Sequence, residues 1–169
     1  KLRRLMKIFN TDLLTFSKIR EGYQIAEKIL LDDEFTRILA LQNFTYTKDK
    51  GFMVALSLRD SVARIKANQA LAINIEEYYY KNSNVIGMTK GGSTIFVNRN
   101  GINSKPLKTF IGNALHEFGH HPMGYSHGSN FPPGSWKGRL LGDFANKNLS
   151  VSHTLDRLGL AFAKTKGYL

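Results

Sequence analysis

The stretch that decides the reading is Thr94-Ile95-Phe96-Val97-Asn98, then Ser104-Lys105-Pro106, then His116-Glu117-Phe118-Gly119-His120-His121-Pro122-Met123-Gly124-Tyr125-Ser126-His127. Between these pieces Leu107, Phe110, Ile111, Ala114, Leu115 and Phe118 recur at helical spacing, which predicts an amphipathic helix over about 105–121. Ser104 can cap it, and Pro106 sits near the first turn, where a missing N–H costs nothing. Pro122 should end it. His116 and His120 are four residues apart, so their imidazoles leave one face of that helix and can share a metal. That face points away from the stripe of Leu107, Ile111, Ala114 and Phe118. Glu117 lies about 100° further round, poorly placed to ligate with both histidines and well placed beside a metal-bound water. Zinc needs a third protein ligand and an open fourth position. After Pro122, Gly124 can take a positive φ and turn the chain, and His127 follows three residues later. His121 is on the wrong side of the helix to join His116 and reads as a surface or supporting residue. Asp143, His153 and Asp156 remain alternative third ligands, and Asp143 can instead cap a turn or hold a ligand histidine.

Upstream, the first 40 residues read as helical, with Leu2, Leu5, Met6 and Phe9 in one stripe and Leu13, Phe16 and Ile19 following. Thr11 or Asp12 can cap a second helix, and Gly22 and Asp32-Asp33 read as interruptions. Phe44–Thr47 and Phe52–Leu58 read as a hairpin around Lys48-Asp49-Lys50-Gly51. A helix is expected over Ser61–Leu71 and a strand over Ile73–Tyr80. Val85–Thr89 and Thr94–Asn98 form a second hairpin through Lys90-Gly91-Gly92-Ser93. Downstream, Ser126–Asn148 is rich in Gly and Pro and irregular, and Leu149–Lys166 is expected to be a final helix. The sum is one α+β domain over 1–169, with a small mixed, twisted sheet.

A lone HExxH arises by chance in many sequences. Here four of the five histidines, His116, His120, His121 and His127, fall within twelve residues, on and just after an amphipathic helix that follows a strand. The segment resembles the zincin metallopeptidases, and among them the metzincins, whose pattern is HExxHxxGxxH. The order upstream is similar too: a helix, hairpin-like strands, an antiparallel edge strand, then a strand leading into the active-site helix. The resemblance implies a compact zincin-like domain in which Val85–Thr89 is the edge strand that pairs with an extended substrate. It implies zinc held by His116, His120 and His127, with Glu117 as general base in peptide hydrolysis. The sequence departs from the family twice. Three residues, not two, separate His120 from Gly124. The family's methionine turn, SxMxY, has no counterpart: Ser150-Val151-Ser152-His153-Thr154 matches only its leading Ser. Tyr125 is the nearest tyrosine to the motif.

Composition bounds the rest. The chain has 169 residues, 42% of them hydrophobic and 22% charged, which suits one core and excludes collagen, long low-complexity disorder and a coiled-coil rod. No apolar run approaches the roughly 18 residues of a membrane span. There is no cysteine, so a transition-metal site must be built from His, Asp and Glu. The net charge of +11 favours an anionic partner beside a peptide or protein substrate: nucleic acid, anionic lipid, a cell-envelope polymer or an acidic protein. The basic residues are scattered, without the aromatic-interleaved block of a nucleic-acid platform. Other readings are a basic binding module, a zincin recruited to DNA or envelope, and a metallopeptidase toxin domain of a larger secreted protein. The chain starts at Lys1, so no signal peptide can be read. The absence of cysteine fits a secreted protein and also a cytosolic one, with the reading leaning to secretion.

Overall fold

The computed structural model describes residues 7–42, 56, 58–64, 67, 72–89, 94–121, 123–125 and 151–169. The fold is α+β. Strand β1 (Phe9–Asn10) leads to helix α1 (Ser17–Leu31) and helix α2 (Asp33–Ala40). Described residues 58–64 are helical. Strands β2 (Ile73–Tyr78), β3 (Gly87–Thr89) and β4 (Thr94–Asn98) follow, then a 3₁₀ turn at Ile102–Ser104. Helix α3 (Leu107–His120) carries the HExxH, and helix α4 (Val151–Thr165) comes last. Among the described residues, no helix is long and apolar enough to cross a membrane.

The sheet order is β1-β2-β4-β3. β1, β2 and β4 are parallel, with Phe9 opposite Ile73 and Ile75 opposite Ile95, while β3 runs antiparallel to β4 with Met88 opposite Phe96. The expected second hairpin is therefore present and forms the antiparallel edge; its connection at 90–93 lies outside the described residues. The expected hairpin at 44–58 lies almost wholly outside them too, and its last residue, Leu58, is helical.

Residues 17–40 are helical as expected, but the helical reading fails at Phe9–Asn10, which pair with the sheet. Ile8 and Phe9 are neighbours and both buried. The Ile8 and Phe9 N–H groups donate to the Glu27 carboxylate at 2.6 and 3.0 Å, and the Ile8 carbonyl accepts from Ile73 N–H. Helix α1 starts at neither Thr11 nor Asp12. The segment just ahead of it is tied to the sheet: Glu77 of β2 accepts from Thr15 N–H (3.1 Å), Thr15 Oγ1 (2.5 Å) and Phe16 N–H (2.9 Å). Gly22 does not interrupt α1; a Cβ there would lie 2.7 Å from Phe110 Cβ, so its bareness lets α1 and α3 approach closely. Asp32 does break the chain, and its carboxylate caps α2 through Glu34 N–H at 2.9 Å.

One core joins the layers. Ile19, Tyr23, Ala26 and Leu30 of α1 recur every three or four residues and are fully buried, as are Phe110, Ile111, Ala114, Leu115 and Phe118 of α3 and Ile95 and Val97 of β4. Phe9 meets Tyr23 and Phe118 edge-on at 5.1 and 6.5 Å between ring centres, so α1 and α3 cover the same face of the sheet. Each such aromatic or aliphatic side chain contributes roughly 1.5–3 kcal/mol on burial. Asn98, fully buried at the end of β4, organises the chain that carries β2 round to β3. Its amide donates to the carbonyls of Tyr80, Asn82 and Val85, and its oxygen accepts from the N–H of Tyr80 and Asn100.

Candidate metal-binding helix

Helix α3 begins at Leu107 with Pro106 as its extended N-cap. Ser104 does not cap it; its hydroxyl donates to the Gly101 carbonyl within the preceding 3₁₀ turn. The helix ends at His120. His121 N–H still reaches the Glu117 carbonyl at 2.7 Å, and burial pulls the His121 imidazole below its ordinary pKa. Gly124 has φ 78°, the left-handed region expected of it, and its N–H returns to the His120 carbonyl at 2.8 Å. Tyr125 N–H closes onto the Gly119 carbonyl at 3.0 Å. The exit from the helix thus folds back on its last turn and brings the Tyr125 carbonyl to the His120 ring. The Tyr125 side chain is buried in the core.

His116 and His120 share a face. Their Nε2 atoms are 3.0 Å apart and their rings meet edge to face at 4.7 Å. His120 Nδ1 lies 2.5 Å from the Tyr125 carbonyl oxygen. A carbonyl can only accept, so Nδ1 carries the hydrogen and Nε2 keeps its lone pair toward His116. Two imidazoles on one tetrahedral zinc, at the usual 2.0–2.1 Å, have their nitrogens about 3.3 Å apart. The observed separation is close to this, and a ligand histidine normally donates its other ring N–H to a carbonyl or carboxylate. The pair could share a divalent ion, and the same 3.0 Å is also a hydrogen-bond distance between the two rings.

Glu117 faces a different way. It is 3% exposed, and among the described residues its Oε2 has no hydrogen-bond partner. Burial raises its carboxyl from 4.5 to about 7. Its side of the helix is defined one turn earlier by Asn113, whose carbonyl oxygen accepts from the buried Tyr23 hydroxyl at 2.8 Å. A Cβ on Gly87 of β3 would lie 2.7 Å from the Asn113 amide nitrogen. Glu117 is thus on the side of α3 that runs past the edge strand, while the histidine pair is on the side facing α4. Burial first, and then the Glu117 charge, push the Tyr23 hydroxyl well above its usual range.

Of the third-ligand candidates, His127 and Asp143 lie outside the described residues. Asp156 does not join the pair: its carboxylate lies against Gly112, one turn before His116. His153 does come alongside, its ring 4.8 Å from that of His116. Even so, among the described residues no group of three His, Asp or Glu side chains is arranged to hold an ion. The 151–154 segment, set against the methionine turn above, is the first turn of α4. Ser152 within it is buried, with its Oγ 3.4 Å from His120 Nδ1. Asn113 and Ser152 went unread in the sequence. The available signal for Asn113 was a polar residue amid the apolar positions of α3, one turn before Glu117. No family model, curated protein or solved structure matches the chain.

Proposed function

We propose that the protein is a zinc metallopeptidase. The observation that carries this reading is the His116–His120 pair, with its nitrogens 3.0 Å apart and His120 Nδ1 committed to the Tyr125 carbonyl, next to a buried glutamate raised to about 7. His116 and His120 would hold the metal, with His127 as the third ligand. Zinc when bound lowers the pKa of a water and polarises a carbonyl.

The chain's own residues supply the rest. A carboxylate is a useful base when its pKa lies near the working pH, because it then accepts and releases protons with comparable ease. Burial places Glu117 in that range. Glu117 would accept a proton from the attacking water at a carboxylate oxygen and pass it to the leaving nitrogen. The Tyr125 carbonyl holds His120 in one tautomer, so its Nε2 is ready to ligate. Asn113 binds the catalytic helix to Tyr23 and lies against Gly87 of β3. A peptide added to the outer side of β3 as a further strand would therefore run past the Glu117 side of α3.

The test is metal analysis of purified wild-type protein, with cleavage of a peptide library. Wild type should hold one zinc per chain. Glu117→Ala should keep that zinc and lose at least about 10²-fold in rate, while His116→Ala and His120→Ala should lose the metal. Cleavage by Glu117→Ala at the wild-type rate would remove the general-base role. Zinc binding by His127→Ala equal to wild type would place the third ligand elsewhere.

A further inference from the structure

A cleft of about 390 Å³ opens ahead of α3, at the opposite end of that helix from the histidine pair, lined by Phe16, Tyr79 and residues 99–104. Its volume falls within the roughly 300–1,000 Å³ of small-molecule sites. It sits where the chain leaves the parallel strands. Tyr79 follows β2, Arg99 follows β4, and Phe16 is the N-cap of α1, the helix that comes after β1. Parallel strands bring their carboxyl ends to one edge of a sheet, and ligands commonly seat there. The walls are held in place by bonds on every side. Phe16 N–H donates to Glu77 at 2.9 Å. Lys18 Nζ, from the first turn of α1, donates to the carbonyls of Ile102 and Lys105 at 2.8 and 2.7 Å. Lys105 Nζ donates to the Asn100 carbonyl at 2.7 Å, and the Asn100 amide to the carbonyls of Tyr80 and Lys81 at 2.9 and 3.1 Å.

The chemistry of the lining is specific. The Arg99 guanidinium lies over the Tyr79 ring, 5.9 Å from its centre, and among the described residues no carboxylate or carbonyl engages it. A guanidinium stacked in this way keeps its in-plane N–H fork free for the two oxygens of an oxyanion. Tyr79 is 61% exposed, so much of its ring is open to a second flat group, and Phe16 and Ile102 add apolar wall. The charge is one-sided. Among the described residues no Asp or Glu lines the cleft. Lys18 and Lys105 stand in its walls, and their bonds to neutral carbonyls leave their charge uncompensated. Both oxygens of Glu77 are already taken by Thr15 and Phe16. A phosphate, with a charge of about −1.5 to −2, matches these cations better than a single carboxylate. We propose that this cleft is a nucleotide site, with the phosphate on the Arg99 fork and the base against the open Tyr79 ring beside Phe16. Its residues come from three separate stretches of sequence, so the aromatic and basic groups meet only in the fold. The proposal is independent of the metal reading of α3.

The experiment titrates the full chain with AMP by isothermal calorimetry in low salt, with adenosine, inorganic phosphate and benzoate as comparisons. AMP should bind, adenosine should bind at least about tenfold more weakly for want of the charged group, and phosphate at least about fivefold more weakly for want of the base. Benzoate should be weaker than AMP. Arg99→Ala should weaken AMP at least about tenfold, and Arg99→Lys, which keeps the charge and loses the fork, should not restore wild-type affinity. Tyr79→Ala should weaken AMP at least about fivefold. Both residues are exposed, so the variants should fold, which far-UV circular dichroism checks; if an Ala variant does not, Arg99→Lys still decides. Lys164→Ala, which removes a charge outside the cleft, should leave AMP affinity unchanged. No AMP binding at millimolar concentration overturns the proposal. So does AMP binding that Arg99→Ala and Tyr79→Ala leave intact, or that Lys164→Ala weakens as much as Arg99→Ala, since net charge alone would then be the cause. Adenosine or phosphate binding as tightly as AMP removes the nucleotide as the ligand, and benzoate binding more tightly replaces it with an aromatic carboxylate.

Discussion

Replacing Glu117 by Gln keeps its shape and removes its charge, and the structure says how stability should respond to pH. The carboxyl is buried and its Oε2 has no partner among the described residues. Its pKa rises from 4.5 to about 7. The unfolded chain releases this proton near pH 4.5 and the folded chain near 7, so between those values the folded state binds more protons. Stability therefore falls as pH rises through that window, and the full penalty persists above it. At 1.36 kcal/mol per pH unit, the cost of ionising the buried group is about 3 kcal/mol, of which roughly 2–3 kcal/mol accrues between pH 5 and pH 8. The Gln variant carries no such slope. Urea unfolding of chelator-treated wild type and Glu117→Gln at pH 5 and pH 8 measures it. The variant should gain about 2–3 kcal/mol on wild type between the two pH values, and any fixed cost of burying the amide cancels in that difference. An unchanged difference between the proteins at the two pH values would refute the argument, because it would mean that Glu117 ionises in the folded chain as it does in water.

Other perturbations test how the helix is positioned. Gly22→Ala places a methyl 2.7 Å from Phe110 Cβ and 3.1 Å from Ile111 N; overpacking of about 1–3 kcal/mol should outweigh the gain of up to about 1 kcal/mol in helix propensity, so the melting temperature should fall, and a rise would show that α1 and α3 can separate freely. Asn98→Ala strips the hub of three donated and two accepted bonds and should cost about 3–5 kcal/mol in urea unfolding; Asn98→Asp, which keeps the oxygens and loses the donors, should also destabilise. Glu77→Gln weakens the charge-assisted bonds by which β2 holds Thr15 and Phe16 just ahead of α1 and should lower stability by about 1–2 kcal/mol, read from the same unfolding curves.

The local rules succeed where one element carries its own evidence. The α3 stripe, the chain reversal at Gly124 and the antiparallel partner of β4 follow from periodicity, from a residue free to take positive φ, and from a turn between two apolar runs. The rules fail where a distant residue decides. Phe9 has a helical stripe behind it, yet it is a strand because Ile73 and the Glu27 carboxylate take its backbone groups. Ser104 is a good local cap, yet its hydroxyl goes to Gly101. Thr11 and Asp12 are capping residues, yet α1 starts only at Ser17, after a segment whose Phe16 N–H goes to Glu77, 61 residues further along the chain.

The candidate site divides the same way. That His116 and His120 share a face is a property of helix pitch alone, and any helix through 107–120 would bring them together. That Glu117 is buried, that its carboxyl rises towards 7, and that the His120 tautomer is set depend on elements brought in from elsewhere: Asn113 against Tyr23 and Gly87, the Tyr125 carbonyl folded back by Gly124, and α4 seated on Gly112 and Gly119. Spacing along one helix is an intrinsic geometric fact, written in four consecutive residue steps. Desolvation and hydrogen bonding are properties of the space around a group, and that space exists only once the remote segments have packed.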